Sequence, residues 1–322
     1  MPTEAELARK EGREYEPGDA LLRRILDERR ARWEADQLAK MKAKGQAPRD
    51  DRWKTKYEEP KEPDTSSLPK LPDGWAWTTV LQLGFVASGS TPKGVESKIG
   101  PEGEMPWFRI SDMNLPGNER EMRSGSSYLS RQNAAELGLR VFRAATIIFP
   151  KRGGAIATNK KRLLLGEATL DLNIMAVEPV ASAKDWLTAW FKQLDLGSLS
   201  DGSNVPQINH GDIEPLDVPL PPLAEQTRIV AEIERLLSVA DQVEQTARAQ
   251  LARAQRLRQS VLKRAFEGKL VPQDPNDEPA SALLDRIRAA RAEAPAANGS
   301  GRTSRRGRAK VLQADEGGLD DG

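Results

Sequence analysis

The stretch PLPPLAEQTRIVAEIERLL, Pro219–Leu237, decides how this chain is organised. Prolines 219, 221 and 222 suit an edge strand or an extended exit, since proline donates no backbone hydrogen bond. Pro222 stands at or just before a first helical turn, where no amide partner is lost. Glu225 then falls in that turn, where the helix dipole favours a carboxylate. Beyond it two sevenfold series interleave: Ile229, Leu236, Val243, Gln250 and Leu257, and Ile233, Ala240, Ala247, Ala254 and Val261. Five heptads of this kind predict a coiled-coil seam, with alanines allowing close approach and Gln250 as a polar interruption that fixes register. The pattern runs from Leu223 to Glu267 and stops at Gly268. At 1.5 Å per residue that is about 67 Å, longer than a ~150-residue globule is wide. An amphipathic helix lying along its own domain is the alternative; the length favours an arm that meets a second helix.

Working backwards, residues 68 to 222 hold short segments punctuated by Gly and Pro. TIIFP (146–150) is a β-branched apolar run, AIAT (155–158) reads as a further strand after the Gly153-Gly154 turn, and LDLNIMAV (170–177) as a partly alternating strand. KDWLTAWFKQL (184–194) spaces Trp186, Leu187, Trp190, Phe191 and Leu194 as one face of a helix. Before this domain, residues 17 to 44 predict a helix carrying the stripe Ala20, Leu21, Leu22, Ile25 and Leu26. It is followed by a Pro-rich, charged, extended linker. The fold class expected is α+β: one mixed α/β domain followed by a long α-helical coiled-coil spacer arm. The boundaries expected are 1–67 for the N-terminal helix and linker, 68–222 for the domain, 223–292 for the arm and the conserved repeat after it, and 293–322 for a disordered tail.

An internal repeat joins the two ends. EPGDALLRRI (16–25) and EPASALLDRI (278–287) agree at seven of ten positions, so the chain starts within one structural unit and finishes in a second copy of it.

Composition narrows the function. The 322 residues are 38% apolar and 30% charged, with no apolar run long enough to span a bilayer and no signal-peptide pattern, so a cytoplasmic location is expected. The absence of cysteine excludes disulfides, thiolate nucleophiles and Cys-ligated zinc. The single histidine, His210, reads as a solvated loop residue and cannot build a His-rich metal site. No phosphate loop, His-Glu-x-x-His pair, Gly-x-Ser-x-Gly elbow or adenine-methyltransferase Asn/Asp-Pro-Pro-Tyr/Phe stretch occurs. A non-catalytic protein is expected, and a nuclease built from Asp112, Asp171 and Glu178 is the least favoured reading. The net charge of +1 conceals one cationic stretch: Arg140 to Arg162 carries seven basic residues and no acid.

The order LPDGWAWTTVLQLG, GSTPKG, PWFRISDMN, TIIFPKRGG, then PLDVPLPPLAEQTRIVAEIERLL and LKRAFEGKLVPQDPNDEPASALLDRI, resembles the DNA specificity subunits of type I restriction-modification enzymes. The resemblance runs from about Leu68 to Ile287, and its most specific parts flank the long helix. Residues 13 to 75 also resemble that family's central conserved region. The resemblance implies a target recognition domain that reads half of a bipartite DNA site. It further implies a spacer helix, two adenine-N6 methyltransferase subunits docked on the specificity subunit, and restriction subunits that join them. S-adenosylmethionine, ATP and magnesium are then expected on those partners and none on this chain. Family members usually hold two recognition domains and two spacer helices, whereas this sequence holds one of each, like a C-terminal half-length form or a truncated gene product. A seam without a second long helix in its own chain predicts a homodimer, or pairing with another half-subunit. A coiled-coil scaffold whose domain binds protein is the competing reading.

For double-stranded DNA the expected contacts are Lys151, Arg152, Lys160, Lys161 and Arg162, with Gly153-Gly154 permitting close backbone approach to a phosphate. Arg109 is a candidate for guanine or phosphate and Asn159 for adenine. Trp107 and Phe108 are expected in the core, and Gln207 and Asn209 in structural roles.

Overall fold

The computed structural model describes residues 1–293 with the exception of Ser203 and Gln273. The expected disordered tail falls, beyond Glu293, outside the described residues. Contacts divide the chain into two units, Met1–Gln242 and Val243–Gly322.

The first unit opens with α1 (Glu4–Glu11), which the sequence reading did not anticipate. Its signal was present in Thr3-x-x-Glu6: the Thr3 hydroxyl accepts from the Glu6 N–H while the Glu6 carboxylate accepts from the Thr3 N–H. α2 (Gly18–Ala43) matches the expected helix, entered through Pro17 and closed before Gly45, whose φ is +66°. Leu21 and Ile25 are fully buried, which anchors α2 to the domain. The segment after α2 departs from the expected extended linker. Asp51–Lys56 forms a 3-10 helix held against α2, with Trp53 stacked on Trp33 at 6.0 Å and the Tyr57 hydroxyl accepting from Arg29 at 2.9 Å.

The elements that follow are β1 (Ala76–Thr79), α3 (Val80–Leu83), β2 (Gly84–Ser88), β3 (Met105–Phe108), β4 (Glu121–Met122), β5 (Tyr128–Leu129) and α4 (Arg131–Glu136). Then come β6 (Ile147–Pro150), β7 (Arg162–Leu164), β8 (Thr169–Leu170), β9 (Ile174–Pro179), α5 (Lys184–Lys192), α6 (His210–Ile213) and β10 (Asp217–Leu220). They form a five-stranded sheet in the order β2-β9-β6-β7-β4, a β5-β3-β8 sheet and a β1-β10 ribbon. α5 lies where the Trp186, Leu187 and Phe191 spacing places it, with those three side chains buried.

Successive side chains along the two central strands feed two cores. Met175 and Val177 of β9 join Ile147 and Phe149 of β6 on one face, together with Leu21, Ile25, Trp186 and Phe191. Ile174 and Ala176 of β9 join Ile148 of β6 on the other, with Phe108, Phe142 and Leu170. Because β9 is covered on both faces, its residues 174–177 are a continuous apolar run. That explains one correction. Residues 170–177 are two strands in different sheets, not one alternating strand. The break is an Asp171 turn in which the carboxylate accepts from the backbone N–H (3.0 Å) and side-chain amide (2.9 Å) of Asn173. A second correction concerns AIAT, which is part of a 3-10 helix, Gly153–Thr158. Gly153 at φ +73° begins it and Asn159 at φ +50° caps it, with the Asn159 N–H returning to Ile156 O at 2.9 Å in a 3-10 turn instead of joining a strand ladder. Trp107 and Phe108 are core residues, as expected.

α7 (Leu223–Phe266) is one helix of 44 residues that begins where the proline pattern places it. Gln226 secures the entry, its N–H donating to Pro222 O (3.0 Å) and its side-chain amide to Pro221 O (2.8 Å). Ile229 and Val230 pack partly against the domain's own core. From Leu236 the seam side chains are exposed. Gly268, at φ +67°, closes the helix, with the Lys269 N–H returning to Arg264 O at 2.8 Å. The second unit also holds α8 (Ala280–Glu293), the second copy of the repeat. Among the described residues no helix is long and apolar enough to cross a membrane, and no group of three His, Asp or Glu side chains is placed to hold a metal ion.

Candidate nucleic-acid interface

The register of the large sheet brings distant loops to one end of it. Ser88 at the end of β2 faces Met175 near the start of β9, and Pro150 at the end of β6 faces Ile174. The chain leaving β6 is held there on both sides. The Lys151 N–H donates to Asn173 O (2.8 Å), the Ile208 N–H to Lys151 O (2.9 Å) and the Gly153 N–H to Pro206 O (2.8 Å). Four loops therefore meet, those after Ser88, after Pro150, around Asp171 and before His210.

Their side chains form a connected polar group. The Lys151 ammonium donates to Ser88 Oγ at 3.0 Å, and that hydroxyl is 3.1 Å from His210 Nε2. Arg152 donates to Gln207 Oε1 at 3.0 Å. The hydrogen bonds of Lys151 and Arg152 thus go to neutral partners, which position both cations without cancelling their charge. Burial, and then the neighbouring Arg152, hold the Lys151 ammonium below its ordinary pKa. A Cβ added at Gly153 or Gly154 would meet nothing within 4 Å, so open space lies before this backbone. Gly89 has the opposite reason to be glycine: its Cβ would lie 2.2 Å from Asp171 O. Arg109 borders the same region through its neighbour Phe108, whose carbonyl accepts from the Asp171 N–H at 2.9 Å. The Arg109 guanidinium lies 4.7 Å from the Trp107 ring centroid and donates to Glu96 at 3.1 Å.

The remaining basic residues do not form one patch with these. Lys161 donates to Lys192 O (3.2 Å), Leu194 O (2.5 Å) and Asn159 Oδ1 (2.9 Å), and burial lowers its pKa. Asn159 also accepts from the Leu196 N–H at 3.0 Å, so it ties the end of α5 to the loop. Arg162 gives Nη1 to Lys161 O (2.9 Å) and Nη2 to Met113 O (3.4 Å). Lys160 donates to Asn114 Oδ1. Lys161 and Arg162 line a groove of about 780 Å³, shared with Phe191 of α5 and with Val230, Ile233 and Leu237 of α7. The cationic stretch thus divides: Lys151 and Arg152 stand at the loop end of the sheet, Lys161 and Arg162 line this groove, and Arg140 and Arg143 pair with Glu178 and Asp36.

Three participants escaped the sequence reading: Ser88, His210 and, as a partner of Arg152, Gln207. His210 is not a detached loop residue; it starts α6, while Asn209 caps that helix by donating its N–H to Asp212 at 2.7 Å. Ser88 and His210 are 122 positions apart and are brought together by the packing of α6 against β2.

The domain thus packs three cores around its sheets, sends out one long helix and carries cations on converging loops. Sequence comparison places it: residues 72–253, more than half of the chain, match the type I restriction modification DNA specificity domain, and the chain belongs to that family. It is 29% identical over 257 residues to the EcoDI specificity subunit of Escherichia coli, covering 74% of this chain and 53% of that protein. It is 25% identical over 321 residues to the EcoAI specificity subunit of the same species, covering 84% and 51%. The chain spans about half the length of these curated relatives. A solved chain from work on complex assembly and conformational transition of the type I R-M system shares the fold. Its TM-score is 0.53 at 21% identity, covering 78% of this chain and 57% of that one.

Proposed function

We propose that this chain is a non-catalytic DNA-reading subunit of a type I restriction-modification complex, recognising one half of a bipartite target. Membership of the DNA specificity family supports the reading most strongly. The loop end of the sheet supplies the chemistry: Lys151 and Arg152 for phosphates, open backbone at Gly153-Gly154, and Arg109, Ser88 and His210 as groups able to reach base edges. Lys160, whose ammonium donates to Asn114, is a further phosphate candidate, while Lys161, Arg162 and Asn159 act mainly by shaping the loop.

The exposed seam of α7 from Leu236 to Val261 pairs with a second long helix in trans, either of another copy or of another half-subunit. Adenine-N6 methyltransferase and restriction subunits assemble on that frame and carry S-adenosylmethionine, ATP and magnesium. The test is binding to duplex DNA over a range of salt. Affinity that falls with salt, and distinguishes one sequence from scrambled duplexes once a methyltransferase partner is present, supports the reading. Equal binding to every duplex with that partner present would contradict it.

A further inference from the structure

One charged pair beside the loop end of the sheet differs in kind from the cations around it. The loop leaving Ser88 is tied to the Asp171 turn: the Ser90 N–H donates to Leu170 O (2.9 Å) and the Leu172 N–H to Thr91 Oγ1 (3.2 Å). The same loop then forms a 3-10 turn, Val95–Ser97. Val95 is buried in a core with Met105 and Trp107, which fixes the place of its neighbour Glu96.

From the other side, β3 delivers Arg109. Its N–H donates to Asp112 Oδ2 at 2.8 Å, and the preceding carbonyl, Phe108 O, accepts from the Asp171 N–H. The guanidinium lies over the buried Trp107 ring, and its Nη2 donates to both Glu96 oxygens at 3.1 Å. Ring and carboxylate together hold the guanidinium in place.

Stability does not account for this pair. The Glu96 side chain is 72% exposed and that of Arg109 35%, and an ion pair in that much water contributes little to a fold. Phosphate binding does not account for it either. Lys151 and Arg152 have neutral partners, whereas a carboxylate beside Arg109 cancels the charge a phosphate requires and itself repels one. What the pair offers is donors next to an acceptor. Among the described residues Nε and Nη1 of Arg109 have no hydrogen-bond partner, and the Glu96 oxygens keep lone pairs to spare.

We propose that Arg109 and Glu96 together read one guanine–cytosine pair in the major groove. Arg109 donates to guanine O6 and N7, and Glu96 accepts from the cytosine N4 amino group. The proposal rests on the DNA-recognition reading and deepens it, adding Glu96 as a specificity-determining residue. A G·C pair presents two acceptors followed by one donor across the major groove, which is the complement of a guanidinium beside a carboxylate. An A·T pair would set the adenine N6 amino group against Arg109 and thymine O4 against Glu96, both repulsive. Reversal to C·G places the donor on the wrong side, so the carboxylate also fixes orientation.

Selection from a random duplex library, with the chain assembled with an adenine-N6 methyltransferase subunit, tests this when repeated with Arg109→Ala and with Glu96→Ala. Both variants are expected to lose discrimination by about tenfold or more at one and the same G·C position and to keep the others. At that position 7-deazaguanine, which lacks N7, is expected to weaken binding of the original chain by about tenfold and to have no effect on Arg109→Ala. Thermal unfolding of both variants is expected to match that of the original chain. Relaxation at different positions, uniform weakening across all sequences, or indifference of the original chain to 7-deazaguanine would overturn the proposal. So would unfolding of either variant, which would make the pair structural. A motif left intact by both variants contradicts this assignment alone; an original chain that selects no motif contradicts the DNA-recognition reading itself.

Discussion

Glu225, in the first turn of α7, accepts a hydrogen bond of 2.8 Å from the backbone N–H of Glu4, which lies 221 positions earlier. The Glu4 carboxylate then pairs with Arg228 and with Arg13, each at 2.5 Å. The N-terminal helix thus braces the root of the long helix through a buried carboxylate.

That brace is expected to depend on pH in a definite direction. The Arg228 guanidinium, then Arg13, hold the Glu4 carboxyl below the usual carboxylate range despite its burial. The contribution is present above the unfolded value of about 4.3 and is lost as pH falls through the lower folded value. Glu4→Gln should cost about 1–3 kcal/mol at neutral pH, because Arg228 and Arg13 lose their charged partner. The cost should shrink in strong acid, as urea unfolding at both pH values will show.

Gly89→Ala should destabilise the domain by about 1–3 kcal/mol, since the new Cβ meets the Asp171 and Leu170 carbonyl oxygens at 2.2 and 2.5 Å. Gly154→Ala, where nothing lies within 4 Å, should leave thermal stability nearly unchanged. Thermal unfolding of the two variants gives the comparison.

The divided basic stretch predicts divided phenotypes. Lys151→Ala or Arg152→Ala should each weaken DNA binding and reduce the slope of log affinity against log salt by about 1, with little change in stability. Lys161→Ala should instead cost stability, about 1–2 kcal/mol, because its ammonium serves the Lys192 and Leu194 carbonyls. Because the Lys151 ammonium titrates below an ordinary lysine, DNA affinity should start to fall at lower alkaline pH than in Lys151→Arg, which keeps its charge.

Leu257, 64% exposed on α7, contributes nothing buried to its own chain. Leu257→Glu should leave unfolding unchanged and abolish association through the helix, measured by sedimentation with the helix partner present.

What could be read from the sequence follows from how local each signal is. Pro222, Glu225 and the heptads specify α7 within its own segment, and the structure places that helix one residue short of the expected end. Trp186, Leu187 and Phe191 specify α5 in the same way. The β8–β9 break was hidden because Asp171 acts through a turn hydrogen bond that an alternation count does not see. Likewise no spacing rule joins Ser88 to His210, or separates Lys151 from Lys161. Those relations come from the packing of α6 against β2 and from which carbonyls an ammonium finds after folding.

The proposed function requires that this chain choose DNA by sequence. Selection from a random duplex library, using the chain assembled with an adenine-N6 methyltransferase subunit and sequencing of the retained fraction, tests it most directly. Enrichment of one defined motif is expected, weakened or broadened by Arg152→Ala. Retention of duplexes with no shared motif would contradict it.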